Sequence, residues 1–317
     1  MTGPATLNEE DSLTAPLCSV GGKAANLARL AAAGIPVPAF FVVSSELFAL
    51  FLRENGITWP SESDNGDDRW VVLREKIGAG SFGISVSRPL LETYADLCRA
   101  GGHDRVAVRS SGGEEDSAAA SFAGQFCSFL NRDRVSLLEA VQGCWASYVS
   151  DNAIAYRAAT GIPLPLSPSV GVVVQTQIFS RKAGVVFTEH PLEPGGGVGY
   201  VEANFGTGES VVDGLATPDA AVFSRASGEI MHSIIATKRR MTTVSPQLEG
   251  TAVVSLGESE RQSPVLDDRE LHEITEMAMR IEALMGAPQD IEWAYDSKQL
   301  WILQARPITG PPGGMHR

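Results

Sequence analysis

The C-terminal part of the chain contains the stretch that decides the fold, two short apolar segments joined by a turn. They are Gln289-Asp290-Ile291-Glu292-Trp293-Ala294-Tyr295-Asp296 and Leu300-Trp301-Ile302-Leu303-Gln304-Ala305-Arg306-Pro307. The connection through Asp296-Ser297-Lys298 favours a turn, so the pattern predicts a β-hairpin. Because successive side chains of a strand point to opposite faces, we expect Glu292 and Gln304 to share one face beside Arg306.

This predicted face has the chemistry of a phosphate site. A carboxylate and an amide oxygen are hard ligands of the kind that Mg2+ takes together with phosphate oxygens. A guanidinium beside them suits a transferring phosphoryl group. The alternative is an edge hairpin whose polar residues are simply solvated, and the hairpin alone does not decide between the two.

The composition indicates a folded, acidic globular protein. The 317 residues suffice for one large core or two linked ones. The formal net charge of −13 argues against a nucleic-acid or anionic-membrane partner. The sequence shows neither a run of about 18 apolar residues nor a basic-then-apolar leader, so we expect a cytoplasmic protein without a membrane partner.

The cysteines are distant from one another in the sequence and form no Cys-x2-Cys pair. They are Cys18, Cys98, Cys127 and Cys144. A zinc site or a secreted disulfide framework is therefore not expected. We interpret the cysteines as reduced thiols that pack as small apolar side chains.

Hydrophobic periodicity divides the chain near Gly161 into two halves. The first half is predicted to hold helices over 22–33, 45–55, 70–78, 88–100, 133–149 and 151–159, with strands over 39–43 and 105–108. In the second half, short β-rich runs separated by Gly and Pro predict an antiparallel sheet. These runs cover 170–178, 183–188, 199–203, 220–224 and 229–235. A helix over 267–284 is predicted to precede the final hairpin.

Further motifs follow one another along the chain. They are Gly21-Gly22-Lys23-Ala24-Ala25-Asn26-Leu27, Val108-Arg109-Ser110-Ser111, Ser121-Phe122-Ala123-Gly124-Gln125, Val173-Val174-Gln175, Glu202-Ala203, Gly206-Thr207-Gly208-Glu209 and Thr217-Pro218-Asp219. Together with the final hairpin, they resemble in order the ATP-binding domain of the pyruvate phosphate dikinase family. That family includes phosphoenolpyruvate synthases and rifampin phosphotransferases.

The resemblance implies an α+β fold of the ATP-grasp class, with ATP and Mg2+ as cofactors. The nucleotide would lie between a mixed α/β half and a half rich in antiparallel sheet. The corresponding domains are residues 1–161, with the lysine and arginine phosphate-binding loops, and 162–309, with the hinge and the metal site. Residues 310–317 would form a flexible tail.

The resemblance also assigns roles to individual residues. Lys23, Arg109 and Arg306 would neutralise the phosphates and act in catalysis, while Glu292 and Gln304 would bind the metal. The remaining nucleotide contacts would come from Gly124, Ser128, Gln175 and Glu202. Of these, Gln175 would contact the adenine, and Glu202 would hold the ribose hydroxyls.

Each of these positions also has a structural interpretation. Lys23 would then be a solvated first-turn lysine, Gly124 a glycine that permits a tight bend, and Gln175 a buried structural amide. Glu209 is open to interpretation as a charge at a helix N-terminus. Gly195-Gly196-Gly197 is interpreted as a flexible hairpin connection, because no Lys-Ser/Thr follows it as in a P-loop.

The phosphohistidine motif of the family is not found around the histidines of this sequence. These are His103, His190, His232, His272 and His316. The resemblance therefore implies a nucleotide-binding domain that passes a phosphoryl group to a carrier histidine on a separate domain or protein. Two alternatives stay open: a free-standing ATP-grasp kinase or ligase acting on an unknown small-molecule acceptor, and a nucleotide-binding protein without turnover.

Overall fold

The computed structural model describes residues 5–61, 68–113, 127–163, 166–212, 214–245, 247 and 249–308. The chain divides into two compact units. The first unit comprises Met1–Ala32 and Ala39–Gln177, and the second comprises Ala33–Pro38 and Ile178–Arg317. None of the helices in the described ranges is long and apolar enough to cross a membrane.

In the described part of the first unit, five strands form an antiparallel sheet in the order β1-β2-β5-β3-β4. They are β1 (Thr6–Leu7), β2 (Phe40–Val43), β3 (Val106–Gly112), β4 (Ser128–Arg132) and β5 (Val170–Thr176). The helices are α1 (Glu9–Thr14), α2 (Leu17–Ala32), α3 (Ser45–Glu54), α4 (Arg69–Ala79), α5 (Ile84–Gly101), α6 (Leu137–Ser147) and α7 (Asp151–Thr160).

One face of this sheet carries the hydrophobic core of the first unit. Val108, Val172 and Val174 lie in that core together with apolar side chains of α3, α4, α5 and α6. Trp145 of α6 is fully buried and stacks on Phe48 of α3, with the ring centroids 4.8 Å apart. Because aromatic rings bury large areas, this face is closed by packing and the opposite face is left for other contacts.

The second unit contains a larger antiparallel sheet. Among the described residues, its strands follow the order β13-β12-β6-β7-β8-β9. They are β6 (Lys182–Phe187), β7 (Val198–Phe205), β8 (Asp219–Ser224), β9 (Ile230–Ile234), β12 (Gln289–Tyr295) and β13 (Leu300–Pro307). Strands β10 (Arg240–Thr243) and β11 (Ala252–Ser255) pair separately. The helices are α8 (Glu209–Val212), α9 (Glu258–Arg261) and α10 (Asp268–Met285).

Helix α10 covers one face of the second sheet. It begins with a capping box formed by Asp267 and Glu270, and it ends at Gly286, whose φ of 79° is in the left-handed region. Its buried residues Ile274, Ala278 and Ile281 form an apolar stripe at helical spacing. The helix packs on β6 and β12, so the opposite face of those strands is the one free to present polar side chains.

A short segment of the second unit, residues 33–38, lies along the edge strand β13. The backbone N–H of Ile302 donates to the carbonyl of Pro36 at 2.8 Å. The guanidinium of Arg280 in α10 donates to the carbonyl of Ala33 at 3.0 Å. These bonds group the segment with the second unit although it connects two elements of the first.

The predicted elements are present, with ends that differ by a few residues, and the final β-hairpin is confirmed. The unit boundary, however, lies after Gln177 and not at Gly161. The reason is that β5 pairs with β2 and β3 of the first sheet, a long-range pairing that local composition does not show. The sheet of the first unit is also antiparallel, and the predicted tail 310–317 lies outside the described residues.

The cysteines are all free thiols. The packing interpretation holds for Cys144, which is buried in the core of the first unit. It is wrong for Cys18 and Cys127, which are exposed.

Candidate functional site

The first sheet presents a polar face on the side opposite its aromatic core. Arg109 of β3 lies directly across from Ser128 of β4 and from Val173 of β5. Gln175 lies two residues beyond Val173 and therefore points to the same side. Directly opposed residues of antiparallel strands share a face, so Arg109, Ser128 and Gln175 project from one side of the sheet.

Helix α2 brings Lys23 to this same face. The helix is broken at Gly21, which has φ 80° and ψ 168°. A Cβ at Gly21 would lie 1.9 Å from the carbonyl oxygen of Ser111, so only glycine allows α2 to approach β3 this closely. The hydroxyl of Ser111 accepts a hydrogen bond from the N–H of Ala24 at 3.1 Å. Since Ser111 and Arg109 are two residues apart on β3, Lys23 is held beside the face that carries Arg109.

The side chains on this first face are largely removed from solvent. The exposed fractions are 5% for Lys23, 8% for Arg109 and 2% for Gln175. Long basic side chains are rarely buried to this extent, and here two of them lie near one sheet face. The strand predicted over 105–108 is longer in the structure, because β3 continues to Gly112 through pairing with β5, so Arg109 lies within the strand.

One predicted phosphate contact of this unit cannot be placed. Gly124 and the Gly-containing stretch 121–125 lie outside the described residues. Ser128, the next predicted contact along the chain, is described and is exposed at the start of β4.

The second sheet presents a row of polar side chains on the face opposite α10. Glu292 of β12 lies across from Gln304 of β13 on one side and from Val185 of β6 on the other. Val185 in turn lies across from Glu202 of β7. The side chains of Gln304, Glu292 and Glu202 therefore share one face, and the usual strand spacing separates Glu292 from Glu202 by about 10 Å.

A second row on this face contains an ion pair that the sequence interpretation missed. Arg306 lies across from Asp290, and its Nε and Nη2 donate to Oδ2 of Asp290 at 2.9 and 2.7 Å. Burial raises the pKa of Asp290, while the Arg306 guanidinium opposes that shift. The pairing was available from the sequence, because an antiparallel register that sets Glu292 opposite Gln304 also sets Asp290 opposite Arg306.

The paired residues Glu292 and Gln304 fit the requirements of Mg2+. Their oxygens are hard donors on one face of neighbouring strands, and Mg2+ usually takes one or two carboxylates and completes its octahedron with phosphate oxygens and water. Asp290 is already bonded to Arg306 and holds that guanidinium at the edge of the same face. In the described ranges, no group of three or more His, Cys, Asp or Glu side chains is arranged to hold a metal ion.

A cavity of about 440 Å³ lies on the opposite, helix-covered side of the second sheet, over β7 and β8 and near the start of α10. Two of its charged lining residues have partners within the second unit. Lys182 pairs with Glu270 at 2.7 Å, and Asp219 accepts bonds from Lys238 and from the backbone N–H of Val265. This cavity is therefore separate from the polar rows and does not contribute ligands to them.

Two weaker motifs have ordinary structural roles. Glu209 is the first residue of the short helix α8, which is the position expected if it is a charge at a helix N-terminus. Gly195-Gly196-Gly197 lies in the connection between β6 and β7, as predicted for a hairpin connection. The loop at Gly206 approaches β10 so closely that a Cβ there would lie 2.0 Å from the carbonyl oxygen of Thr242, which explains the glycine without a ligand.

The chain thus combines two antiparallel sheets, one with a basic polar face and one with a carboxylate–amide–guanidinium face. The sequence comparison specifies the class: residues 17–315 match the family model described as pyruvate phosphate dikinase, AMP/ATP-binding domain. The chain belongs to this family. The α+β fold predicted from the sequence, of the ATP-grasp class, is thereby confirmed.

Curated relatives agree with this assignment. The chain is 37% identical over 305 residues to a probable phosphoenolpyruvate synthase of Archaeoglobus fulgidus, covering 92% of this chain and 40% of the relative. It is 35% identical over 321 residues to a rifampicin phosphotransferase of Streptomyces sp, covering 98% and 36%. It is 31% identical over 344 residues to the phosphoenolpyruvate synthase of Pyrococcus furiosus, covering 92% and 42%. The chain thus spans less than half the length of these relatives.

Among solved structures, D-alanyl-alanine synthetase A from Vibrio cholerae aligns with 93% of this chain and 59% of its own chain. The TM-score of 0.34 and the identity of 10% are too low to support an argument about fold or site.

Proposed function

We propose that this protein is the Mg2+-ATP-binding part of a phosphotransferase of the pyruvate phosphate dikinase and phosphoenolpyruvate synthase type. The observation that carries the proposal is the row Gln304–Glu292–Glu202 with Arg306 at its edge, on one face of the second sheet. Family membership and the basic face of the first sheet support it.

In this proposal the residues of the first unit hold the triphosphate. Lys23 and Arg109 supply positive charge, the Ser128 hydroxyl donates to a phosphate oxygen, and Gln175 contacts the adenine. Gly124 is assigned a backbone contact to phosphate on the resemblance alone. The burial of Lys23 and Arg109 strengthens their interaction with an anion, because the local dielectric is lower than in water.

The residues of the second unit hold the metal and the transferring group. Glu292 and Gln304 would bind Mg2+, which when bound offsets the negative charge of the phosphate oxygens. Arg306, oriented by Asp290, stabilises the charge on the transferring phosphoryl group, and Glu202 accepts hydrogen bonds from the ribose. Phosphoryl transfer depends mainly on such positioning and charge stabilisation, which are the roles proposed for these residues.

For the phosphoryl acceptor, we propose only its chemical class. We assign it to a histidine on a carrier domain or protein, because the relatives are longer chains of which this one matches less than half. A small-molecule acceptor is the second candidate, favoured by the similarity to a protein named rifampicin phosphotransferase. In cells, we place the protein in the cytoplasm.

The first experiment is phosphorus NMR of Mg2+-ATP incubated with the purified protein, with and without host extract as a source of acceptor. Formation of AMP and orthophosphate would support the dikinase-type route, and ADP would support the direct kinase or ligase. Calorimetric titration with ATP, with Mg2+ and with EDTA, measures binding independently of any acceptor. The absence of ATP binding would contradict the proposal as a whole.

The metal assignment has its own test in Glu292→Gln. This variant should lose most of the Mg2+ dependence of ATP affinity, since one charged ligand becomes neutral. Glu276→Gln, at an exposed position on α10, is the matched control and should retain it. An unchanged Mg2+ dependence in folded Glu292→Gln would show that the metal is bound elsewhere.

A further inference from the structure

Tyr200 of β7 makes a hydrogen bond to one of the proposed nucleotide-binding side chains. Its hydroxyl donates to Oε1 of Glu202 at 3.1 Å. The two residues are separated by one position on the strand, so both side chains project from the face that carries Glu292 and Gln304. Both are partly buried. None of the roles proposed above uses Tyr200.

The Tyr200 ring is held in place by its neighbours. Phe187 lies directly across from it on β6, with ring centroids 6.5 Å apart, and the His190 ring contacts it edge-on at 4.9 Å. Burial, followed by the nearby charge of Glu202, raises the pKa of Tyr200 to about 12. The phenol therefore keeps its proton at neutral pH and acts as a donor with a fixed position.

The fixed Tyr200 donor restricts the rotamers of the Glu202 side chain. A glutamate side chain in the open explores several rotamers, and ordering it costs free energy when a ligand binds. The Tyr200 hydroxyl orders the carboxylate before binding, so the remaining acceptor positions are already oriented for the donors of a ligand.

We infer that Tyr200 is a positioning residue that sets the preference of this site for ribonucleotides over deoxyribonucleotides, by orienting Glu202 toward the ribose hydroxyls. This inference rests on the proposed function, in which Glu202 accepts hydrogen bonds from the ribose. The discrimination arises because a deoxyribose leaves a partly buried, oriented carboxylate without a donor. In the row, Glu202 lies two strands and about 10 Å from Glu292, which places Glu202 away from the proposed metal ligands.

The test is calorimetric titration of the full chain with Mg2+ and each of ATP, 2′-dATP and 3′-dATP. For the wild type we expect weaker binding of at least one deoxy analogue. In Tyr200→Phe the ratio of deoxy-analogue Kd to ATP Kd should fall by about fivefold, which corresponds to one net hydrogen bond. In Glu202→Gln, which keeps an acceptor for the Tyr200 hydroxyl, the ratio should also fall, and this variant serves if Tyr200→Phe does not fold.

Tyr295→Phe is a matched control from the same sheet. The Tyr295 hydroxyl donates to Oε2 of Glu273 in α10 at 2.9 Å, on the helix-covered face. Both phenylalanine variants remove one tyrosine–glutamate hydrogen bond, so their effects on thermal unfolding should be similar. Only Tyr200→Phe should change the deoxyribose ratio.

The outcomes separate this inference from the proposed function. A wild-type ratio retained by folded Tyr200→Phe would overturn the role of Tyr200. A wild type that binds ATP and both deoxy analogues equally would overturn the inference through Glu202, while leaving ATP binding intact. A wild type that binds no ATP would instead refute the proposed function, and the inference with it.

Discussion

The two polar faces of this protein carry opposite chemistry and are assembled in different ways. The face of the first sheet gathers Lys23 and Arg109 from a helix and a strand that are far apart in sequence. The face of the second sheet gathers Glu292, Gln304 and Arg306 from two strands of one hairpin. A hairpin fixes its own register locally, whereas the first face depends on long-range packing, so the two faces should respond differently to substitution.

The charged groups also differ between the faces. The second face contains its own ion pair, Asp290 with Arg306, so part of its charge is neutralised within the protein. The first face collects buried cations in a chain with a formal net charge of −13. Local concentration of positive charge is what an anion site in an acidic protein requires.

Arg306→Lys should give the largest effect and tests the second face. Lysine keeps a positive charge for Asp290, so folding should survive, but it loses the planar fork that matches a phosphoryl group. We expect turnover to fall by about 10³-fold, as for other arginines that stabilise a transferring phosphoryl group. Product formation from Mg2+-ATP measures this once an acceptor is supplied.

Arg225→Lys is the control for that substitution. Arg225 bridges Glu189 and Glu282 in the same unit and also uses two guanidinium nitrogens. The Arg225→Lys variant should have a lower free energy of unfolding than the wild type and the same turnover rate. Equal turnover in the two variants would mean that Arg306 serves only its ion pair with Asp290.

Gly21→Ala tests whether backbone contact between α2 and β3 builds the first face. The new Cβ meets the Ser111 carbonyl oxygen at 1.9 Å and the residue has φ 80°, so overpacking and strain should together cost at least about 3 kcal/mol. ATP affinity should fall as well, because Lys23 is two residues away. Urea unfolding and calorimetry measure the two effects.

Gly102→Ala separates strain from contact. Gly102 also has a positive φ, 76°, but a Cβ there has nothing within 4 Å. We expect a loss of about 1 kcal/mol from the left-handed backbone alone, with unchanged ATP affinity. If Gly21→Ala behaved like Gly102→Ala in both measurements, the close approach of α2 would not be what positions Lys23.

Asp133→Asn should give the smallest effect and sets a baseline away from both faces. The Asp133 carboxylate accepts bonds from the N–H groups of Ser136 and Val135 and from the Ser136 hydroxyl. These bonds, led by that from the Ser136 N–H, lower the pKa of Asp133 against an opposing contribution from burial. We expect a loss of about 0.5 kcal/mol at pH 7, because asparagine keeps an acceptor oxygen and loses only the charge, with ATP affinity unchanged.

The pH dependence of that loss has a defined sign. A lowered pKa in the folded state means that the stabilisation is present above about pH 4 and declines as the pH falls through the lowered value. The difference between wild type and Asp133→Asn should therefore shrink in acid. A difference that stayed constant between pH 7 and pH 3 would show that the carboxylate charge is not responsible.

The sequence predicted the second face better than the first, and the reason is the range of the interactions. Alternation within one hairpin placed Glu292, Gln304 and Arg306 on one side, which the strand register confirms. The position of Arg109 within β3 depended on pairing with β5, more than sixty residues later, and the same pairing moved the unit boundary to Gln177. Local patterns carry no information on such partners.

Some residues were overlooked although the pattern contained them. The place of Asp290 opposite Arg306 follows from the register once Glu292 is set opposite Gln304. The place of Tyr200 on the same face as Glu202 follows from its position two residues before Glu202 on a predicted strand. Both residues are neighbours, on the same face, of a residue to which the family resemblance gives a role. The contact of Gly21 with Ser111 was different in kind, since it depends on how a helix and a strand approach in three dimensions.

The segment 33–38 determines how fragments of this chain should behave in solution. An edge strand with open N–H and C=O groups is a template for pairing with other chains, and here the N–H of Ile302 on β13 is bonded to Pro36. Pro36 and Pro38 carry no N–H of their own, so the covering segment offers few donors to a further strand. A fragment that begins at Ile178 would contain all six strands of the described second sheet but not this cover, and it should aggregate through β13. A segment of the second unit that lies far earlier in the chain than its strands thus protects the edge of their sheet against misassembly.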